Sequence, residues 1–421
     1  MGEPTARTTP EGSDLVLELA QVLHVNGQST HEMLAAAERL SNSLDLRATI
    51  IPRWGELQIQ ATKGTETLVS IRPADPTGVD MDRVVSAMLA LNEAVTGRLA
   101  AAALRETINT IAHAPPAPTW LFTLAAAAGA AALAVIFGVQ HFAAVALIVV
   151  SAAAGAVVRR TVAKYSANTL VQPLCAALLA GIVGALAVRY QLSSSLRLVA
   201  VCPCMILVPG PHVLNGMMDL VGARVSLGAS RLIYACLIVV AICVGLLLGL
   251  GLLHVSLPVD APGRAVPLWL DVLAAGAAVA AYSIFFSTPL RMLGWPVAVG
   301  MAAHALRWWT LASGADAATG AFVACLLVGL ALAPVARRSQ MPFAAVGFAS
   351  VVSMIPGVFL FRMASGLLQL AHNSNTTLDL LGATIADGMT AVTIILAMSF
   401  GVIAPKIIID SLADRTARAG S

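Results

Sequence analysis

Long apolar runs after about residue 115 constrain the fold of this chain more than any other feature. Each approaches the roughly 20 residues that a transmembrane helix needs. The composition agrees, because 58% of the residues are hydrophobic and 11% are charged, whereas a soluble domain carries about 25% charge. The sequence therefore predicts an all-α polytopic membrane protein with about ten transmembrane helices. The predicted spans are 120–138, 141–158, 167–188, 196–221, 229–254, 268–288, 291–311, 317–335, 342–371 and 378–404.

Charged residues are concentrated before the first apolar run and predict a small soluble α/β domain there. Two helical patterns precede three short strand-like segments, and a helical stretch from Asp80 to Ala114 follows them. We expect no cleavable leader, because the first residues are polar, and hence a cytoplasmic N-terminus. The predicted organisation is a disordered tail (1–13), a cytosolic α/β domain (14–115), two membrane units of five helices (116–255 and 256–405) and a cytosolic tail (406–421).

Nothing in the sequence predicts a cofactor, a metal centre or a nucleic-acid partner. His24 and His31 lie near Glu32, but this group is more typical of a solvated face than of a metal site. The net charge of +3 is too small to indicate nucleic-acid binding. The phosphate-binding loop of ATPases and the dinucleotide fingerprint are both missing from the sequence. An ion or proton gradient is therefore the expected energy source.

Lysine and arginine positions predict the orientation, and prolines predict an internal repeat. Basic residues are more frequent in the predicted inner loops, which favours cytoplasmic N- and C-termini. Pro209-Gly210 in the fourth span recurs as Pro356-Gly357 in the ninth, an offset of 147 residues (356 − 209). Units with an odd number of spans lie in opposite directions across the membrane. The pattern therefore predicts an inverted repeat, which is typical of secondary transporters.

The fourth span contains the first candidate binding site. Pro209, Gly210 and Pro211 should break the helix, and freed backbone groups at membrane depth require a protein partner or a wet cavity. The N-terminus of the following half-helix suits a carboxylate. Three polar residues share one face of that half-helix and are predicted to line the site: His212, Asn215 and Asp219.

The ninth span repeats this design with Pro356, Gly357 and then Arg362. Ionisable residues inside spans are costly and are therefore candidates for function. Asp387, in the last span, and Asp219 are the predicted groups for binding an ammonium or carrying a proton. His304, near Arg307 and a membrane end, is as consistent with a side chain that reaches the membrane interface as with a functional group. Asp271 and Arg291 lie at span ends and are interpreted as anchors.

Several segments together resemble the threonine/serine exporter family in its fused, two-domain form. They are LELAQVLHVNGQSTHEMLAAAERLSNSLDL, Val79–Arg83, Thr110–Pro116, VPGPHVLNGMMDL and Met354–Gly357. The resemblance covers nearly the whole chain, and the order of the segments is its strongest part. It implies export of threonine and serine, driven by the proton-motive force.

The predicted function is thus a secondary active amino-acid exporter in a bacterial cytoplasmic (inner) membrane. Its expected partners are the small-molecule substrate, protons and membrane lipid, and a homo-oligomer is left open. Related two-part systems export dicarboxylates, and His212 beside the break keeps a succinate-type substrate open as the alternative. An intramembrane enzyme and a membrane-anchored sensor were also considered. An intramembrane enzyme would be supported by a G-x-S-x-G or H-E-x-x-H signature, and the sequence contains neither. A sensor with a passive anchor does not explain two matched breaks.

Overall fold

The structure is a computed structural model, and it describes residues 9–63, 66–192, 196–255, 257, 266–339, 341–372 and 377–419. Four helices and three strands precede the membrane helices. They are α1 (Thr9–Val25), α2 (Thr30–Ser43), β1 (Arg47–Arg53), β2 (Gly55–Lys63), β3 (Glu66–Ala74), α3 (Met81–Val95) and α4 (Ala101–His113).

The strands form one antiparallel sheet in the order β1-β2-β3, as the alternating segments predict. Gly55 allows the tight turn between β1 and β2, because its φ of +85° lies in the left-handed region. Pro73 pairs with Glu56 near the end of β3, which stops at Ala74. A core of buried apolar side chains joins α1, α2, α3 and the sheet; it includes Leu15, Leu19, Leu23, Met33, Leu40, Leu57, Ile59 and Leu91.

Twelve α-helices follow. They are α5 (Thr119–Ile136), α6 (Phe142–Tyr165), α7 (Val171–Arg189), α8 (Leu196–Met205), α9 (Gly210–Val221), α10 (Val225–Gly251), α11 (Leu268–Phe285), α12 (Gly294–Ala312), α13 (Ala317–Ser339), α14 (Phe343–Val351), α15 (Gly357–His372) and α16 (Leu378–Ala419). Short 3-10 turns cover Leu290–Met292 and Val352–Met354.

Among the described residues, seven helices are long and apolar enough to cross a membrane, and two bent helix pairs raise the number to nine. The bent pairs are α8 with α9 and α14 with α15, at the two predicted breaks. The predicted span 291–311 corresponds to α12, which falls outside this group because it carries polar residues, including His304 and Arg307. Ten spans were thus one more than length and composition support.

Both predicted tails require correction. Residues 9–13, predicted to be disordered, form the start of α1, and residues 1–8 lie outside the described residues. The predicted tail after residue 405 continues α16 as far as Ala419. The sequence also predicts an outer loop at 373–377 and places Arg264 on the outer side; residues 373–376 and Arg264 lie outside the described residues.

Equivalent helices pack in equivalent ways in the two predicted membrane units. In the first unit α5 packs on α6, α6 on α7, and α7 on α10; in the second, α11 packs on α12, α12 on α13, and α13 on α16. Between the units, α5 packs on α11. The bent pairs cross reciprocally, because α9 packs on α14 and α15 packs on α8.

The N-terminal part is docked on the membrane helices next to the first break. The backbone N–H of Met81 donates to the Phe286 carbonyl at 2.9 Å, and Asn215 Nδ2 donates to the Gly27 carbonyl at 3.1 Å. The Trp54 ring, at the tip of the β1–β2 hairpin, lies 5.1 Å from the Tyr234 ring of α10. These contacts place loops of the N-terminal part over the α8–α9 break.

Candidate functional site

Both proline-glycine breaks have the same local backbone geometry. The two helices of each bent pair differ in direction by 53° at the first break and by 66° at the second. The Gly210 N–H donates to the Val208 carbonyl at 3.0 Å across Pro209, and the Gly357 N–H donates to the Ile355 carbonyl at 2.8 Å across Pro356. A bond between residues two apart defines a γ-turn, and the Pro209 angles of φ −84° and ψ 55° fit its inverse form.

Protein groups satisfy part of the backbone that the first break frees. The Tyr282 hydroxyl donates to the Met205 carbonyl at 2.9 Å, at the end of α8. A buried carbonyl that loses its helical partner needs such a donor at membrane depth. The break is therefore held in its bent shape by a specific contact from α11.

The two breaks also touch each other. A Cβ atom on Gly210 would lie only 1.4 Å from Cε2 of Phe348, which belongs to α14. A Cβ atom on Gly357 would lie 3.0 Å from Cγ of Met205, which belongs to α8. Each glycine thus gives the other bent pair the space it needs for close packing.

A cavity of about 340 Å³ lies beside the first break, between the membrane helices and the N-terminal part. Pro209, Pro211 and His212, three of the predicted site residues, line it. Polar side chains from four other regions join them. They are Asp80 from the N-terminal part, Arg159 and Arg160 from α6, Thr169 and Gln172 at the start of α7, and Tyr234 from α10.

Arg159 and Arg160 give this cavity a cationic wall. Among the described residues, no carboxylate lies within ion-pair distance of either guanidinium. Aromatic faces hold them instead, since Arg160 lies 4.4 Å from the Phe122 ring centre and Arg159 lies 5.2 Å from that of Phe285. Asp80 acts electrostatically on Arg160 but forms no ion pair with it. Two positive charges that share one carboxylate beyond ion-pair distance are suited to an additional anionic ligand group.

Asp80 is the acidic group of the cavity. Its side chain caps α3 by accepting the Arg83 N–H at 3.2 Å, and the Arg83 guanidinium lies 3.8 Å away. Burial raises the pKa of Asp80 above its ordinary value, although its hydrogen bond and charge contact with Arg83 oppose the shift. A carboxylate with such a desolvation cost gains from an additional cationic partner.

The remaining polar side wall of the cavity is neutral. The Tyr234 hydroxyl donates to Thr169 Oγ1 at 2.9 Å, and the His212 ring meets the Tyr234 ring edge-on at 5.3 Å. Hydroxyl and imidazole groups at this position can hydrogen-bond a small polar ligand. The cavity therefore combines cationic, anionic and neutral hydrogen-bonding groups.

The other predicted residues of the first break do not line this cavity. Asn215 donates to Gly27, as described above. The Oδ2 atom of Asp219 lies 3.3 Å from Nε of Arg231, and its Oδ1 atom lies 3.9 Å from the Arg224 guanidinium. Asp219 instead borders a second cavity, of about 280 Å³, between α2, α9 and α16. Arginine thus already neutralises the Asp219 carboxylate, and Asp219 does not line the first cavity.

At the second break the predicted ligands pair with each other. Arg362 Nε lies 3.0 Å from Asp387 Oδ2, and both side chains are largely buried. The sequence predicted Arg362 as a substrate-binding residue and Asp387 as a group that binds an ammonium or carries a proton. The structure instead joins α15 to α16 through them.

The predicted histidine group of the N-terminal part is divided. His24 is fully buried rather than solvated, with its Nδ1 atom 3.5 Å from Arg231. Burial, with a smaller contribution from the Arg231 charge, lowers the pKa of His24 to about 3. His31 and Glu32 do lie near Asp410, but Lys406 Nζ sits 2.6 Å from Asp410 and 3.6 Å from Glu32. The lysine charge offsets the attraction this cluster would have for a metal ion.

Sequence comparisons match both halves of the chain. A family model described as "Putative threonine/serine exporter" matches residues 14–253, which include the first break and its cavity. A second, described as "Threonine/Serine exporter, ThrE", matches residues 271–408, which include the second break. The chain belongs to the threonine/serine exporter family. This membership, which confirms the resemblance, indicates a multi-pass membrane transporter rather than an enzyme.

A curated member of the threonine/serine exporter family is similar over most of the chain. It is described as "Probable threonine/serine exporter" from Mycobacterium tuberculosis (strain ATCC 25618 / H37Rv). The two are 24% identical over 394 residues, which cover 87% of this chain and 74% of the relative. No solved structure matches the chain.

Within this exporter, two groups of buried or cavity-lining residues escaped prediction. Arg159 and Arg160 were interpreted only as positive charges at an inner loop, and their adjacency near an apolar helix end was the available signal. Asp271 and His304 were interpreted as residues at membrane ends, yet both are buried and bonded to each other at 2.9 Å. Their separation of 33 residues along the chain hid this contact.

Proposed function

We propose that this chain is a secondary exporter of threonine and serine that binds its substrate in the cavity beside the first break. The observation that carries the proposal is the cationic wall formed by Arg159 and Arg160, neither of which has a carboxylate within ion-pair distance among the described residues. A charged group inside a membrane protein is costly without a partner, so an arginine pair facing a cavity indicates a site for an anionic group.

A zwitterionic amino acid fits the charges of the cavity. The arginines would hold its carboxylate, and Asp80 would hold its ammonium. The side-chain hydroxyl that distinguishes threonine and serine from alanine could bond to Thr169 or Tyr234, which already form a hydroxyl pair. A site built to bond a hydroxyl rejects ligands that lack one, because its own polar groups would stay unpaired.

The packing of the helices supports an inverted repeat. The equivalent helix pairs, the matching γ-turns at Pro209 and Pro356, and the reciprocal contacts of the two bent pairs all relate the first unit to the second. Five helices in each unit, with the more polar α12 counted as a span of the second unit, would give the units opposite directions. Transporters of this design place their substrate near the repeat interface and alternate access around it.

The proposed location is a bacterial cytoplasmic (inner) membrane, with both termini in the cytoplasm. Arg159 and Arg160 lie near the end of α6, where they would follow the positive-inside rule. In this orientation the cavity, covered by Gly78 and Asp80 of the N-terminal part, opens from the cytoplasmic side. That is the side from which an exporter must collect its substrate.

A dicarboxylate is the second candidate substrate, and the charge of the cavity is the observation that favours it. Two arginines face a single acidic residue, Asp80, so the cavity has a surplus of positive charge. His212 adds a further hydrogen-bonding group on the same wall. A succinate-type dianion would use both arginines, whereas an amino acid would need only one of them together with Asp80.

Transport by the full-length protein in proteoliposomes separates these candidates. Vesicles loaded with unlabelled serine should accumulate labelled threonine by exchange, and external alanine should compete far less well than serine. Exchange of threonine against succinate at the serine rate would favour the dicarboxylate. Exchange of neither substrate class would contradict both proposals.

The energy source requires a separate measurement. We propose that the proton-motive force drives export, so an imposed pH gradient should drive net threonine movement and an uncoupler should abolish it. Exchange between equal substrate pools should survive the uncoupler, because it needs no net driving force. Net movement that is insensitive to the uncoupler would contradict proton coupling while leaving the substrate assignment intact.

A further inference from the structure

Three buried polar side chains form a continuous hydrogen-bonded chain that ends beside the second break. His304 Nδ1 lies 2.9 Å from Asp271 Oδ2, and His304 Nε2 is hydrogen-bonded to Ser353 Oγ. Their exposed fractions are 5% for Asp271, 0% for His304 and 2% for Ser353. The chain links α11 and α12 to the 3-10 turn Val352–Met354, which leads directly into Pro356.

Charged neighbours of this group are few and identifiable. Arg307, one turn after His304 on α12, interacts electrostatically with Asp271 and His304, and Cys325 of α13 interacts with Arg307. The adjacent helices α5 and α14 contain no ionisable residue, and Arg291 lies at the opposite end of α12. Asp271, His304 and Arg307 therefore form a nearly isolated set of one negative charge, one titratable imidazole and one positive charge.

The hydrogen bonds define how Asp271, His304 and Ser353 respond to a proton. A carboxylate only accepts, so Asp271 fixes the tautomer in which His304 carries its proton on Nδ1. In the neutral imidazole Nε2 then accepts from the Ser353 hydroxyl. When His304 takes up a proton, Nε2 becomes a donor, and Ser353 Oγ must turn to accept.

We infer that Asp271, His304 and Ser353 form a proton-binding relay that couples proton entry to the conformation of the second break. The inference rests on the proposed function and names the coupling site of that same exporter. One proton leaves a water molecule and forms an N–H bond at Nε2 of His304, no bond between heavy atoms changes, and the same proton leaves to solvent when the transporter returns. Reversal of the His304–Ser353 hydrogen bond changes the conformation of the 3-10 turn that leads into the second break.

The position of the relay fits the direction of proton entry. In the proposed orientation α11 starts at the outer face, and Asp271 lies in its first turn. His304 lies deeper, and Ser353 lies next to the break that contacts Met205 of the first bent pair. A proton that binds Nε2 of His304 would change the hydrogen bond to Ser353, and the contact of Gly357 with Met205 would transmit that change to the helix pair beside the substrate cavity.

Asp, His and Ser in this order also occur in hydrolases, but burial argues against that use here. Ser353 is only 2% exposed, which leaves an acyl substrate no direct approach to its Oγ atom. A nucleophile needs its target within about 3–3.5 Å. A proton needs no such space, because it moves along hydrogen bonds.

The test uses full-length protein in proteoliposomes and three measurements: serine exchange without a gradient, net serine movement driven by a pH gradient, and proton flux from an enclosed pH dye. We expect H304N and S353A to lose net movement and proton flux by about tenfold while exchange stays within about threefold. S353T, which keeps the hydroxyl, should restore coupling.

Ser350 provides the matched control. It is a buried serine one turn before Ser353, and its hydroxyl bonds the Pro296 and Val346 carbonyls rather than His304. S350A should keep both coupled movement and exchange. The relay is overturned if H304N and S353A keep wild-type coupling, or if they lose exchange and coupling together, since the latter shows a purely structural role.

Failure of this inference is distinguishable from failure of the proposed function. Wild-type protein that exchanges serine but moves no protons would remove the relay and leave the exporter assignment standing. Wild-type protein that moves neither serine nor threonine would contradict the exporter assignment and the relay with it. Coupled wild-type transport with unaffected relay variants would overturn the relay alone.

Discussion

The Nε atom of Arg362 lies 3.0 Å from the Oδ2 atom of Asp387, so the second broken helix is bound to the last helix by a buried ion pair. Each residue therefore neutralises the other in this conformation. A role in substrate binding would require this pair to open. Its first contribution is to hold α15 against α16.

Removing one partner of this pair should cost more stability than removing both. R362Q and D387N should each lower the free energy of unfolding by about 3 kcal/mol, because a single buried charge remains. The R362Q/D387N double variant should lose less than the sum of the two. Denaturant unfolding in detergent measures these differences.

The exposed pair Arg53–Glu56 is the control, and R53Q should have an effect below about 1 kcal/mol. Additive losses at 362 and 387 would contradict the pairing.

The arginines of the cavity should determine substrate affinity. R159Q and R160Q should each weaken serine binding by about tenfold or more, since each removes a charge-assisted contact. R160K should weaken it less, because it keeps the charge and loses the planar fork. The KM of serine exchange reports the effect. R98Q, an exposed arginine between α3 and α4, is the matched control and should leave the KM unchanged.

Contact between the two breaks should make Gly210 intolerant of a side chain. G210A would bring a methyl group into the Phe348 ring, and such overpacking costs about 1–3 kcal/mol or more. The second variant F348A should relieve that clash, so G210A/F348A should be more stable than G210A alone. Thermal unfolding in detergent provides the comparison.

Gly382 is the matched control for this substitution, because a Cβ atom there would meet no neighbour within 4 Å. G382A in α16 should be neutral or stabilising, as alanine is the better helix former. Equal destabilisation by G210A and G382A would show that the tight contact at the first break is absent.

Acid should weaken the protein through His24. The folded-state pKa is about 3, and an unfolded histidine titrates near 6.5, so the unfolded chain binds more protons between these values. The stabilisation is therefore fully present above about pH 6.5 and decreases, by up to about 1.4 kcal/mol for each pH unit, as the pH falls toward 3.

The variant H24Q tests this pH dependence, because glutamine does not titrate. The stability of wild type should fall more steeply than that of H24Q between pH 7 and pH 5 in detergent. H113Q, at an exposed histidine at the end of α4, should retain the wild-type slope. Parallel curves for wild type and H24Q would contradict the assignment.

Local sequence patterns were sufficient to predict most helices, the sheet and both breaks. Proline removes a backbone donor wherever it occurs, so the bends at Pro209 and Pro356 follow from covalent structure alone. Ser29 could be predicted as the cap of α2, and it does accept the Glu32 N–H. These features depend on neighbours in sequence and are visible without a fold.

The partners of charged side chains could not be predicted in the same way. Asp387 was a sound candidate for function because a lone carboxylate in a span is costly, but the sequence carries no sign that Arg362 compensates for it. The same limit applies to Asp271, which was interpreted as an anchor, and to His304, for which function and snorkelling were equal alternatives. Their positions near helix ends suggested water, whereas burial in the assembled bundle depends on helices far away in sequence.

Pro209, Pro211 and His212 were predicted as site residues and do line the candidate cavity, but the charged groups that face it were not predicted. Backbone dipoles at the start of α9 were expected to hold a carboxylate, and the arginines that face the cavity come from α6. Asp80 comes from the N-terminal part, to which no role was assigned. Only the docking of separate elements shows that these groups share one cavity. The inverted repeat, the proton coupling and the domain boundaries stay predictions.

The reciprocal seating of Gly210 on Phe348 and of Gly357 on Met205 has a mechanical consequence. Because each glycine lies directly against a side chain of the other bent pair, we expect a movement of one bent helix to displace the other. Closing a passage on one face and opening it on the other then become a single concerted event, which is the requirement for carrying a solute across without leaving a leak.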